Sequence, residues 1–423
     1  MKKLIDMLNA EKGISDWKIN IHRRESCEVF YIKDNLDCAR RTDTTNNRVT
    51  VYVDKDGYRG DAVFYAYPSS SEEELRKLIN SAIFRASLIK NAPYTLPEKA
   101  EGEYLIASNL AETDPLSLAK TIADDVFAAN TVENASINAL EIFVTKHFES
   151  VTTGSGINKS QIRYDAMVEA IPTYNGESSV ELYEQYNFAS YDSDALKAEI
   201  SGKMLEVKSR YEAITPAAPP SCPVLLNKAE LSQLFRAMVS DLDYASVYSS
   251  SNLHKKGELI QPEGNGDRIS ITLKGEVAGS FRSSRFDIDG VELTSLPVIG
   301  EGKVLAYHGS NRFGQYIGEK PSGLLTCLEV TPGSVKAEDF SKGPYLEIIS
   351  MSGLQVDFYS DYIGGEIRLA YYNDGAEITP LTGISVSGKL SEVLAEIRLS
   401  SERALSGGCL CPEKALISNM KIF

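Results

Sequence analysis

Apolar residues recur along this chain at two spacings, and the chain passes from one to the other several times. Leu4, Ile5 and Leu8 share one face and predict a short helix over Met1–Ala10. Trp17–Ile21 and Cys27–Lys33 are read as strands. Val49, Val51 and Val53 alternate with Thr50 and Tyr52, the two-residue period of a strand. Asp56-Gly57 then supplies a hairpin turn, and Gly60–Tyr67 returns as the partner strand. The spacing changes after Pro68. Ser71 and Glu74 stand as a capping box, and Leu75, Leu78, Ile79, Ala82, Ile83 and Ala86 form a helical stripe. Asp114-Pro115 opens another helix, with Leu118, Ile122 and Val126 on its apolar face.

The strand period resumes over Ser136–Val151, Gln161–Pro172 and Ser178–Ser190. Gly154-Ser155-Gly156 and Tyr174-Asn175-Gly176 are the breaks. A helix is expected over Asp192–Ile214, with Leu196, Ile200, Met204, Val207 and Tyr211 inward. Thr215-Pro216-Ala217-Ala218-Pro219-Pro220 then carries three prolines in six residues, which cannot continue a helix and favour an extended linker. These signals divide the chain into an α+β domain at residues 1–213, a Pro-rich linker at 214–222 and a β-rich domain at 223–423.

In the second domain Pro223–Leu226 is read as a short strand and Lys228–Tyr248 as one helix, with Leu231, Leu234, Phe235, Met238, Val239 and Leu242 apolar. Short strands follow at Ile269–Leu273, Tyr345–Ser350, Gln355–Tyr359 and Glu366–Tyr372. Lys389–Leu405 fits either a helix or a strand. The stretch Phe286–Gly323 has few helix signals and many glycines, and is read as strands joined by tight turns. It carries His308, Asn311 and Arg312, a polar cluster on glycine-hinged backbone and a candidate substrate cleft.

The chain has 423 residues, enough for two domains or more, and 43% of them are hydrophobic. Its net charge of −15 disfavours a phosphate backbone as direct partner. No apolar run is long enough for a bilayer, and no signal peptide is read at the start. Six cysteines scattered over this length do not make a disulfide framework and suit a reducing cytoplasm. His22, His147, His254 and His308 are far apart in sequence, so no pair has the three-to-five-residue spacing of zinc ligands. Cys409-Leu410-Cys411 is the only paired thiol. Nucleophile and phosphate-loop signatures are missing, although His308 with Cys409 could form a dyad in space.

The ordered pieces of the chain resemble the TldD/PmbA family. They are VTVYVDKDGYRGDAVFYAYPSSSEEELRKLINSA in the first half, then PVLLNKAELSQLF, HKKGELI, FDIDGV, GEGKVLAYHGSNRFGQYIGEKPSG, LEVTPG, GGEIRLAY and PLTGISVSGKLSEVL. The family's catalytic member carries HExxxH on the helix after the linker and a cysteine near the C-terminus. In this chain those positions hold Phe235 and Ser240 in place of the histidines and Arg236 in place of the glutamate; Cys409 or Cys411 lies where the cysteine falls. Phenylalanine offers no lone pair and arginine accepts no proton at neutral pH. The resemblance therefore implies the PmbA type, also called TldE: a non-catalytic subunit that binds no metal itself. Its implied partner is a TldD-type HExxxH subunit, which supplies the zinc, and its implied substrate is unfolded or flexible peptide. Two alternatives stay open: a self-sufficient peptidase using His308 with Cys409 or Cys411, and a homodimeric binding or scaffold protein. Neither a membrane nor direct nucleic-acid binding is expected, and a link to gyrase is remote.

Overall fold

A computed structural model describes residues 2–423, so Met1 of the first expected helix lies outside the described residues. The chain opens on helix α1 (Lys2–Ala10), then strands β1 (Asp16–Ile32), β2 (Asn35–Lys55) and β3 (Tyr58–Ala66). The two runs expected as separate strands, Trp17–Ile21 and Cys27–Lys33, are one continuous strand. The polar residues between them are solvated or paired on the sheet surface, so nothing forces a break there. Asp56 and Gly57 both take positive φ at the hairpin tip, the conformation a two-residue turn needs to match strand twist. Helix α2 (Glu72–Ser87) starts on a full capping box between Ser71 and Glu74 and buries Leu75, Ile79, Ala82 and Ala86.

The first domain continues through β4 (Ala100–Leu105), α3 (Pro115–Ala128), β5 (Ala135–Thr153), β6 (Ile157–Asn175), β7 (Ser179–Glu181), β8 (Glu184–Phe188) and α4 (Ser193–Glu212). Its eight strands form one sheet in the order β3-β2-β1-β5-β6-β4, with β7 and β8 also on β6. The helices cover one face. Val49, Val51 and Phe64 pack with Leu75 and Ile79 of α2, while Ile142, Val144 and Val168 pack with Ile122 of α3 and Ile200 of α4.

After the proline-rich segment, the Val224–Asn227 strand leads into α5 (Lys228–Ser240). The expected helix over Lys228–Tyr248 is in fact two, since a short second helix, α6 (Tyr244–Tyr248), begins anew. Asp243 causes the break: its side chain accepts the Ala245 N–H as an N-cap at 2.7 Å. The Phe286–Gly323 stretch also departs from expectation. It holds a hairpin of Leu296–Gly300 with Lys303–Val304, but also a helix, α7 (Asn311–Tyr316), and much of the rest is loop. The helix signals are weak because α7 is short and held by contacts with the first domain, described below. Lys389–Leu405 resolves into α8 (Leu390–Glu396) followed by short strand pieces.

Two mixed sheets, of six and nine strands, build the second domain. They share one core, in which Leu231, Leu234, Phe235 and Met238 of α5 pack with Ile271 and Leu328 of one sheet and Ile348 and Ile363 of the other. The architecture is α+β throughout. Among the described residues no helix is long and apolar enough to cross a membrane.

Candidate functional site

Three places bear on chemistry. The first is α5. Phe235 is wholly buried in the domain core. Arg236 turns the other way and donates to Gly407 O at 2.5 Å and Thr326 O at 3.3 Å. Ser240 donates back to the Arg236 carbonyl at 2.8 Å. The three positions therefore diverge, and the one charged group among them is a cation.

Cys409 and Cys411 are buried, two residues apart on one strand face, and Cys411 Sγ stands 3.8 Å from Lys228 O of α5. The hydrogen bond to Cys409 and burial hold Cys411 in its protonated form. The bond from Cys411, helped by the Arg236 charge, draws Cys409 below the ordinary thiol range. A fixed guanidinium beside the thiols disfavours a metal ion there by charge repulsion.

His308 lines a cleft of about 430 Å³ together with Arg236, Ser240 and Asp243. Its Nε2 lies 3.0 Å from Val239 O, and its backbone bridges to Leu242 and Tyr244. Burial pushes its imidazole below the ordinary value, so the neutral ring donates to that carbonyl. Among the described residues no hydrogen bond joins His308 to either thiol.

Asn311 and Arg312 sit elsewhere, at the contact between domains. Asn311 donates to Thr95 O at 2.7 Å, Gln315 donates to the same oxygen at 2.8 Å, and Arg312 donates to Asn91 Oδ1 at 2.7 Å. The Arg312 guanidinium also lies over the Tyr94, Phe313 and Tyr316 rings. These side chains are committed to joining the domains. Asn311→Ala is expected to lower stability by about 1–2 kcal/mol in urea denaturation, because Thr95 O loses a buried donor. An unchanged midpoint would show that the contact contributes nothing.

The Phe286–Val291 segment is a second dock. The Asp287 carboxylate accepts the N–H groups of Asp289, Val291 and Leu324 at 2.9, 3.0 and 3.1 Å, which shapes the turn. Gly290 takes φ +81° at its tip. The turn meets the sheet face opposite the helices: Asp289 pairs with Lys18, Asn20 donates to Ile288 O at 2.8 Å, Lys159 donates to Gly290 O at 3.0 Å, and Phe286 packs on Val151 and Ile157.

Beside that dock is a cleft of about 550 Å³ between the domains, lined by His22, Glu149, Gln161 and Arg163 of the sheet and by Phe281 and Asp287 across from them. His22 Nε2 is 2.9 Å from His147 Nδ1 and 3.8 Å from Glu149 Oε1. His147 Nε2 stands 2.8 Å from Asp165 Oδ2, close enough for Coulomb attraction but off the line of a hydrogen bond. Arg163 bridges Glu149 at 3.1 Å and Asp165 at 2.7 Å. Burial raises both carboxylates, but Arg163 and Gln161 on Glu149, and His147 and Arg163 on Asp165, outweigh it and hold both below the usual range. Burial pushes His22 toward its neutral form.

Sequence spacing gives no hint that His22 and His147 meet. Strand register brings them together, with His22 opposite Glu149 and Arg24 opposite His147 in the β1–β5 pair. The one local signal is His147-Phe148-Glu149, whose two-residue spacing puts imidazole and carboxylate on one strand face.

Residues 219–423 match the model of the PmbA/TldA metallopeptidase C-terminal domain. No curated protein matches the sequence. TldE from Thermococcus kodakarensis shares the fold at a TM-score of 0.81 and 16% identity, covering 100% of this chain and 99% of that one. A protein of Thermotoga maritima described as a candidate modulator of a DNA gyrase matches at 0.80 and 15%, covering 100% of both chains. One of Bacteroides thetaiotaomicron, described in similar terms, matches at 0.80 and 15%, covering 100% of this chain and 98% of its own. The fold is thus shared from end to end with these proteins, and residues 219–423 of this chain belong to the PmbA/TldA metallopeptidase C-terminal domain.

Proposed function

We propose that this chain is the TldE-like, non-catalytic subunit of a zinc peptidase complex acting on unfolded or flexible peptide in the cytoplasm. A TldD-type HExxxH partner supplies the catalytic zinc. One observation carries the reading: at the α5 position the chain offers a core phenylalanine, an arginine bonded to two carbonyls and a serine turned back on its own helix. No arrangement of these three groups holds a divalent ion or accepts the proton of an attacking water.

The fold also supports a peptide-binding role. Strand β3 pairs with β2 only from Asn47 to Lys55, so the outer edge of β2 from Asn35 to Asn46 carries backbone groups with no strand partner on that side among the described residues. An extended peptide adds to such an edge through main-chain hydrogen bonds, which read shape rather than sequence.

The test is hydrolysis of a disordered peptide by the purified chain, alone and mixed with an HExxxH-bearing partner from the same cell. Cleavage is expected only in the mixture. Cleavage by the chain alone that is lost in His308→Ala would overturn the reading in favour of a self-sufficient peptidase. Failure to recover any HExxxH protein on co-purification would favour a homodimeric scaffold.

A further inference from the structure

We propose that His22, His147 and Glu149, on adjacent strands of the first domain, form a binding site for a divalent transition cation of the zinc type, separate from the α5 position. Nε2 of His22, Nδ1 of His147 and a Glu149 oxygen all lie within 4.8 Å of one another. A tetrahedral ion with bonds of roughly 2.0–2.1 Å sets its ligand atoms roughly 3.3 Å apart. The 2.9 Å and 3.8 Å separations from His22 bracket that value.

The donor set decides the class of ion. Two imidazole nitrogens and one carboxylate oxygen suit zinc and its neighbours, whereas calcium and magnesium need mostly oxygen. Three protein ligands leave a fourth position open, and it faces the 550 Å³ cleft between the domains.

The surroundings are those of a metal site. His147 is 6% exposed and its Nε2 has no hydrogen-bond partner, yet it stands 2.8 Å from Asp165. A carboxylate behind the far nitrogen of a ligating histidine fixes which nitrogen carries the proton and leaves the near lone pair for the ion. Gln161 donates to Glu149 Oε2 at 2.6 Å and Arg163 donates twice to Oε1, at 3.2 and 3.1 Å, which holds the carboxylate in place and leaves one lone pair on Oε2 unclaimed. Glu149 and Asp165 balance the charges of Arg163 and Arg24 near His22, so no net positive charge opposes the ion. Without an ion, one of the two touching rings must donate a proton to the other, and a cation takes that proton's place. The His22 side chain is 42% exposed and has room for the small rotation this requires.

The inference is independent of the TldE-like reading, since the test uses the full chain without a partner and measures no hydrolysis. The purified chain is stripped with chelator and titrated with Co²⁺, and visible absorption reports four-coordinate binding. About one ion per chain is expected, displaced by Zn²⁺. His22→Ala, at a partly exposed position, is expected to abolish the bands with the circular dichroism unchanged. Asp165→Asn is expected to weaken binding about 10- to 100-fold. The double variant Cys409→Ser, Cys411→Ser is expected to leave the bands intact. Absence of bands in the wild type, their persistence in His22→Ala, or their loss in the cysteine variant would each overturn the proposal.

Discussion

Phe235→His, Arg236→Glu and Ser240→His together, which write an HExxxH pattern on α5, are expected to destabilise the chain without giving it zinc at that helix. The Phe235 ring is fully buried among apolar side chains of two sheets. Replacing it forfeits much of what a buried aromatic contributes, about 3–5 kcal/mol when the side chain is removed entirely. An imidazole there also has no polar neighbour on the core side, which adds about 1–3 kcal/mol of unsatisfied desolvation. Arg236→Glu further removes the donors to Gly407 O and Thr326 O. Urea denaturation should show a loss of about 3–5 kcal/mol or more, and zinc retained after dialysis should not exceed that of the wild type. A triple variant as stable as the wild type, with an extra zinc ion, would mean that position 235 can face a ligand site.

The second large effect concerns Glu230, in the first turn of α5. Glu230 is 5% exposed, and burial pushes its pKa from 4.5 up to about 7. Lys203 is the nearby cation, but it is already engaged by Glu206 at 2.7 Å and Glu184 at 3.1 Å. The sign follows from which state holds the proton more tightly. The folded chain does, so between about pH 4.5 and 7 folding takes up a proton and stability falls as pH rises. The loss is fully developed above the folded value. A displacement from 4.5 to about 7 corresponds to about 3 kcal/mol.

Glu230→Gln cannot ionise. The difference in unfolding free energy between the variant and the wild type should therefore move by about 3 kcal/mol in the variant's favour from about pH 4 to pH 8. Comparing the difference at two pH values cancels the cost of burying the amide itself. A difference that does not change with pH would show that Glu230 finds a compensating partner.

The helices and hairpins that were legible in the sequence share a property: their signals act within a few residues. The Ser71–Glu74 capping box, the Asp114 cap before Pro115 and the Asp56-Gly57 turn each satisfy backbone groups next to them, and each appears as read. Where local reading failed, a local signal was weak or a distant contact prevailed. Asp243 restarts a helix that periodicity alone would have continued. Helix α7 is anchored through Asn311, Arg312 and Gln315 to the segment from Asn91 to Thr95, more than two hundred positions earlier. Of the polar cluster read from the sequence, His308 lines a cleft, whereas Asn311 and Arg312 form a joint between domains.

By itself the sequence determined the α+β class and carried the family resemblance, because side-chain chemistry and short-range periodicity are written residue by residue. Only the tertiary structure decided that the Asp287 turn docks on Lys18 and Lys159, and that His22 meets His147. Those facts depend on strand register and domain contact. Register is set by the burial of whole sheet faces, a sum over many residues that no short stretch of sequence records.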